Sequence, residues 1–378
     1  MTKVSASWLS SDSAIRICSA FESRGYQTYF VGGCVRNQLL GRDVTDLDLA
    51  TDAEPQDMLE LAAEEGLKAV PTGIAHGTIT FVSHGKPYEI TTFRNDVETD
   101  GRRAKVSFSK ELIEDAKRRD FTMNALYVSS DGTLLDPVDG LRDLEAGLVR
   151  FIGDPDARIR EDFLRILRFF RFFAWYADAT KGIDADGLAA CANNVDQLPS
   201  LSKERLTAEL LRILGAPDPS MSVASMDAIG ALSHILPGST ASALPVLVHL
   251  ENRIGLEVDP VARLAALGGE PQSFLRLSKA QEKRLAAYGA HYDTAYETGY
   301  RLKDLGLHNL AVMASRAGIE IESKKAEMAR IGSSATFPIA ASDLMPKLSG
   351  KALGDHLKQL EQQWIESGFK LTKDQLLD

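Results

Sequence analysis

The chain changes character near residue 154, and that break limits its fold more than any single motif. Before it, β-branched runs such as TYFV and EITTF alternate with glycine-containing turns. After it, such runs thin out and apolar residues recur at helical spacing. A strand-rich block followed by a helical block predicts an α+β domain, a mixed sheet with flanking helices, and then an all-α remainder. At 378 residues, 44% apolar and 25% charged, the chain has material for two or three packed domains, and its composition argues against disorder. The expected division is 1–153, 154–220 and 221–378.

Within the first block, residues 12–24 carry Ala14, Ile15, Ile17, Cys18 and Phe21 on one side and stop at Gly25, predicting an amphipathic helix. TYFVGG followed by CVRNQLLG predicts strand, glycine turn and short helix, an arrangement whose outward N–H groups favour an anion. Strands are expected at 46–50, 67–71, 77–83 and 86–93, with a helix at 55–65 opened by Pro55. Residues 95–118 are polar and mixed in charge, and predict a loop feeding a short helix; LLDPVDGLRDLEAGLVRFIGD predicts a small hairpin closing the block. Beyond it, one long helix is expected over 156–177. Further helices follow near 203–213, 240–254, 259–267, 278–297, 308–317, 320–330 and 350–366.

The chemistry concentrates in the first half. Asp46 and Asp48, two apart on an expected strand, project from one face and repel each other unless a cation lies between them. Oxygen-only donors of this kind suit Mg²⁺. A solvated strand end is the bland alternative for a lone DxD, so its neighbours decide. Gly32, Gly33 and Arg36 form the glycine turn upstream, and Glu89 lies in KPYEITTF downstream. If that strand pairs beside the DxD strand, three carboxylates converge. Arg158, Glu161, Asp162, Arg165, Arg168 and Arg171 make one polar stripe on an otherwise apolar helix, which places the stripe on a cleft where charges need partners.

Several classes are disfavoured. Cys18, Cys34 and Cys191 contain no CxxC pair, which argues against zinc and disulfides and for a reducing cytoplasm. The opening MTKVSASWLSSDS has no apolar signal-peptide core, and no apolar run approaches the roughly 18 residues of a membrane span. No His-Asp dipeptide occurs, so a His/Asp phosphohydrolase lacks its usual ligands. The net charge of −10 argues mildly against a nucleic-acid partner, although a local basic groove can coexist with an acidic surface.

GGCVRN (32–37), DLDLAT (46–51), EITTFR (89–94), RRDFTMN (118–124), DPVDG (136–140) and EDFLRILR (161–168) stand in the order and spacing of six family motifs. Together they resemble the class II tRNA nucleotidyltransferase and poly(A) polymerase family of the DNA polymerase beta superfamily. GIAHGTITF (73–81) is similar to its CCA-adding branch, and Asn37 replaces the family's Asp. The resemblance implies a polymerase-beta-like head followed by an elongated helical neck, body and tail. It implies two Mg²⁺ ions on Asp46 and Asp48 with Glu89 as third carboxylate, the triphosphate on Gly32, Gly33 and Arg36, and Arg119 reaching the nucleotide. The implied substrates are tRNA, CTP and ATP.

Cytosine and adenine each present an amino donor beside a ring-nitrogen acceptor, so a carboxylate next to an arginine accepts both and rejects U and G. Asp162 and Arg165, at i and i+3 on the expected helix, form such a pair, and Arg168 and Arg171 extend that face toward phosphate or the priming nucleotide. Poly(A), A-only or CC-only addition uses the same chemistry. A small-molecule nucleotidyltransferase has no need of Asp162, Arg165 or a long helical arm. An RNA-binding module on a dead polymerase fold does not explain three retained carboxylates.

Overall fold

A computed structural model describes residues 2–99, 104–345 and 347–378. The chain forms two compact units, one ending at Leu201 and the other starting at Ser202.

In the first unit the strands are β1 (Thr28–Val31), β2 (Asp48–Thr51), β3 (Lys68–Gly73), β4 (Thr78–Ser83), β5 (Lys86–Thr92), β6 (Arg94–Thr99), β7 (Ala104–Phe108), β8 (Tyr127–Ser129) and β9 (Leu134–Leu135). Seven make one sheet in the order β3-β4-β5-β2-β1-β8-β9. Only β2 and β5 run parallel, joined by a crossover through a helix and the β3–β4 hairpin. Helices α1 (Asp12–Ser23), α2 (Gly33–Leu39), α3 (Pro55–Glu64), α4 (Leu112–Lys117), α5 (Gly140–Ala146), α6 (Pro155–Glu161), α7 (Leu164–Tyr176) and α8 (Ala185–Asn194) accompany it.

Strand alternation divides the core between the two sheet faces. Phe30, Leu49, Ile90 and Phe81 share one face by register, and Phe21 of α1 packs there with its ring 5.5 Å from that of Phe81. Val31 and Ala50 belong to a cluster on the other face with Phe93, Ala116, Ala125, Tyr127 and Ile152. The ring of Phe121 lies 4.9 Å from Phe151 and 4.8 Å from Phe172, which fastens α7 to the sheet domain.

In this unit four expectations change. Strand β2 begins at Asp48, so Asp46 stands just before it. The polar stretch 95–118 includes a β6–β7 ribbon rather than only a loop before α4; residues 100–103 lie outside the described residues. In the stretch expected as a hairpin, Leu134–Leu135 does pair with β8, but Gly140–Ala146 is helical. The long helix at 156–177 is two helices. Asp162 adopts φ −155°, ψ 106° and its Oδ1 accepts the Leu164 N–H at 3.1 Å, a local carboxylate bond that competes with helix continuation.

The second unit is helical throughout its described residues. The run expected at 278–297 is two helices, Lys279–Gly289 and Ala295–Leu302, and a further helix, Ser220–Ala228, was not anticipated. Arg263 is only 1% exposed; it pairs with Glu251 at 2.7 Å and donates to the carbonyls of Leu214 and Pro217, so its burial is fully compensated. Helices Ala295–Leu302 and Ser323–Ser334 cross backbone to backbone at Gly299 and Gly332, where any Cβ would collide with the carbonyls of Ala329 and Tyr296.

All three cysteines are unpaired and buried. Burial pushes the Cys18 thiol up to about 12 and the Cys34 thiol up to about 11, and raises Cys191 as well. No described helix is long and apolar enough to cross a membrane.

Candidate active site

The parallel pairing of β2 with β5 sets Asp48 directly beside Glu89. Residues directly paired on neighbouring strands project from the same face, so the two carboxylates emerge side by side. Asp46 approaches from the segment before β2 and its Oδ2 accepts a bond from the Thr45 hydroxyl at 3.2 Å. All three carboxylates line a cavity of about 980 Å³. Partial burial, then the charges of Glu89 and Asp46, raise the Asp48 pKa, and Arg119 opposes them.

Gly32 follows β1 with φ +75°, a backbone conformation that L side chains rarely adopt. Arg119 Nη1 lies 3.6 Å from where its Cβ would stand. The guanidinium is held there by Asp115 at 2.9 Å and by the Tyr127 hydroxyl at 3.0 Å. Burial alone would weaken the Arg119 charge, but Asp115 outweighs it and raises the pKa. Asp115 itself is fully buried, yet Arg119 and Arg118 hold its carboxyl down at about 2. The structure thus brings Gly32, Arg119, Asp48 and Glu89 into one electrostatic neighbourhood.

Arg36 is placed differently from the simple expectation of a phosphate-facing group. It is buried, donates to Asn124 Oδ1 at 2.5 Å, Asn37 Oδ1 at 3.0 Å and the Tyr176 hydroxyl at 2.8 Å, and lies 4.1 Å from the Tyr176 ring centroid. Asn37 in turn donates to the Asp43 carbonyl at 3.1 Å, which is the bonding that this amide makes at the family's Asp position. Asn124 also donates to Asp120 at 2.9 Å, and Asp120 accepts from Arg168 Nε at 2.8 Å. A continuous polar chain therefore ties the glycine turn to α7. Although burial opposes it, Arg168 holds the Asp120 carboxyl down at about 2.

The stripe residues do not share one helix face. Asp162 sits in the break between α6 and α7, so the expected i, i+3 helical pair is replaced by a pair flanking the start of α7. They remain neighbours because the Arg165 N–H donates to the Asp162 carbonyl at 2.9 Å. The Arg165 guanidinium bonds Glu161 at 2.5 Å and the Arg158 carbonyl at 2.7 Å. Arg158 also binds Glu161, at 2.6 Å, and the Arg119 carbonyl at 2.7 Å. Arg171 stacks 4.7 Å from the Phe172 ring centroid.

Reasoning from sequence missed Asp115, Tyr127 and Tyr176 as supports of the site. A signal for Asp115 existed, since it stands three and four residues before Arg118 and Arg119, the spacing at which charges pair across a helical turn. For the two tyrosines the sequence offered none.

A family model for the poly(A) polymerase head domain matches residues 28–150, and one for the probable RNA and SrmB-binding site of polymerase A matches 182–242. Mitochondrial CCA tRNA nucleotidyltransferase 1 of Mus musculus is 33% identical, covering 94% of this chain and 87% of its own. The CCA-adding enzyme of Levilactobacillus brevis is 40% identical over 56% of this chain and 52% of its own. Among solved structures, the Bacillus stearothermophilus CCA-adding enzyme in complex with CTP superposes with a TM-score of 0.75 at 26% identity, covering 94% of this chain and 92% of that one. The motifs stand in order, the head carries the paired carboxylates, and the likeness runs through both units: the chain belongs to the class II CCA-adding tRNA nucleotidyltransferase family.

Proposed function

We propose that this protein adds C and A, from CTP and ATP, to the 3′ end of tRNA and releases pyrophosphate. The observation that carries this function is the register of Asp48 against Glu89, with Asp46 on the same cavity and Arg119 beside the Gly32 turn. The likeness to enzymes of that name over 94% of the chain supports the choice of substrates.

The acidic residues suit Mg²⁺. Their donors are all carboxylate oxygens, and burial first, then the neighbouring Glu89 charge, raises the Asp48 pKa. Among the described residues no three His, Cys, Asp or Glu side chains form a ready metal cage. Mg²⁺ ordinarily keeps several waters and takes substrate phosphates as its remaining ligands. Asp46 and Asp48 would hold two such ions, with Glu89 as third carboxylate. Bound there, one ion would make the RNA 3′-hydroxyl a better nucleophile and the other would neutralise the departing pyrophosphate.

The chain's own groups do the positioning. Gly32 and Gly33 leave the backbone open to the triphosphate, and Arg119 arrives pre-oriented by Asp115 and Tyr127. Arg36 contributes by fixing the turn through Asn37, Asn124 and Tyr176. Asp162 accepts the amino group of C or A, and Arg165 donates to the ring nitrogen after exchanging Glu161 for the base. Arg168 and Arg171, farther along α7, would contact phosphate or the priming nucleotide. We assign nucleotide transfer to 1–153, base selection to 154–220 and tRNA binding to 221–378. Three buried, unpaired thiols suit a reducing cytoplasm.

The test is incubation of purified protein with labelled CTP, ATP and a tRNA ending at its discriminator base. Addition of two C residues and one A supports the function. A-only or CC-only products would move it to a sister activity, and no incorporation with Mg²⁺ present would refute it.

A further inference from the structure

Arg119, Arg165 and Arg168 each hold their charge against a carboxylate, those of Asp115, Glu161 and Asp120. Arg36 forms no such pair among the described residues. It is only 7% exposed, and its hydrogen bonds go to the Asn37 and Asn124 amide oxygens and the Tyr176 hydroxyl, all of them neutral. Its Nε has no hydrogen-bond partner among the described residues. Burial, and then the Arg171 charge, lower its pKa against the pull of Tyr176 and Asp120. The Tyr176 and Phe172 rings, 4.1 and 5.1 Å from Cζ, offer it only their π faces.

A buried cation ordinarily faces an anion. The position that could supply one is Asn37, whose Oδ1 stands 3.0 Å from Arg36 Nη2 while its amide donates to the Asp43 carbonyl. The Asp120 carboxylate reaches Arg36 only through Asn124, and it is itself held by Arg168.

The uncompensated charge lies against the glycine turn. Arg36 Nη2 stands 3.9 Å from where a Cβ on Gly33 would be. An anion seated on that turn supplies the counter-charge that the chain itself withholds.

We infer that Asn37 sets the charge of the triphosphate turn. By meeting Arg36 with an amide oxygen rather than a carboxylate, it leaves one positive charge for the phosphates of CTP and ATP and for the pyrophosphate that departs. Arg36 need not touch them, because in a largely buried site its field acts beyond hydrogen-bond range. The amide at 37 therefore strengthens nucleotide binding and retains pyrophosphate, and a carboxylate there would weaken both. This assignment rests on the proposed transferase activity and adds what tunes phosphate affinity at the same site.

Calorimetric binding of inorganic pyrophosphate and of CTP to the full chain, without Mg²⁺, tests it. Asn37→Asp puts a carboxylate where the amide oxygen stands and should weaken both ligands about three- to tenfold, the scale of one charge acting across a partly solvated site. Arg36→Gln removes the charge from the other partner and should weaken both as well. Asn37→Ala loses the bond to the Asp43 carbonyl without adding charge, and should weaken them less than Asn37→Asp does. In steady-state assays Asn37→Asp should raise KM for CTP and ATP together and leave KM for tRNA unchanged. Wild-type pyrophosphate affinity in Asn37→Asp, equal losses in Asn37→Asp and Asn37→Ala, or a change confined to KM for tRNA, would overturn the assignment. Failure of the wild-type protein to extend tRNA would instead reject the transferase activity itself.

Discussion

At Arg165 the two carboxylates that could neutralise one guanidinium are adjacent in sequence and differ in placement. Glu161 ends α6 and binds Arg165, whereas Asp162 sits in the break with its own carboxylate on the Leu164 N–H. If Asp162 reads the amino group of the base, Asp162→Ala should damage discrimination more than chemistry. The gap between CTP or ATP and UTP or GTP should narrow by about 1–3 kcal/mol, measured by competition at fixed tRNA. Equal loss on all four nucleotides would mean that Asp162 serves only the helix start. Acid behaviour follows from Asp115 and Asp120. Both carboxyls are held at about 2, below the ordinary 3.8, so they stabilise the fold above the unfolded value and lose that contribution as pH falls from 3.8 toward 2. Each shift corresponds to roughly 2 kcal/mol. The thermal midpoint should drop across that window, and Asp120→Asn should start lower at neutral pH and fall less steeply.

At the scale of elements, strands β1 to β5 were legible because β-branched runs are local signals, whereas the i, i+2 strand spacing holds only for Asp48, which opens β2 with Asp46 before it. Pairing of the Glu89 strand beside the DxD strand could be framed from sequence as a condition, and the parallel register meets it. The break at Asp162–Phe163 was not legible. Apolar spacing runs through it unbroken, and one side-chain bond to Leu164 decides against continuation. The β6–β7 ribbon was hidden by its polar composition, since backbone pairing rather than an apolar face defines it. Nor does spacing reveal the crossing of Ala295–Leu302 with Ser323–Ser334, because a glycine in a helix reads only as a weak point. Gly332→Ala should destabilise the second unit by about 3 kcal/mol, the upper range of overpacking, since backbones rather than side chains must part. Gly354→Ala, in a helix with open space around it, should stabilise by about 0.5–1 kcal/mol. Chemical denaturation of the two variants checks the contrast.

At the scale of the whole molecule, two units divide 378 residues, and the acidic residues proposed for catalysis all belong to the first. An acidic chain that takes tRNA must gather its basic contacts locally, so its affinity should depend on salt through a limited set of phosphates. Three cysteines, all buried and all with raised thiol pKa, carry a separate consequence. Little thiolate exists at neutral pH, and none of the sulfurs meets solvent, so a chromogenic disulfide reagent should titrate almost no thiol until denaturant is added. The native protein then offers a silent background for chemistry directed at sulfur. One surface cysteine introduced into each unit would take a fluorophore apiece, and energy transfer between the dyes could follow the separation of the two units through every cycle of nucleotide addition.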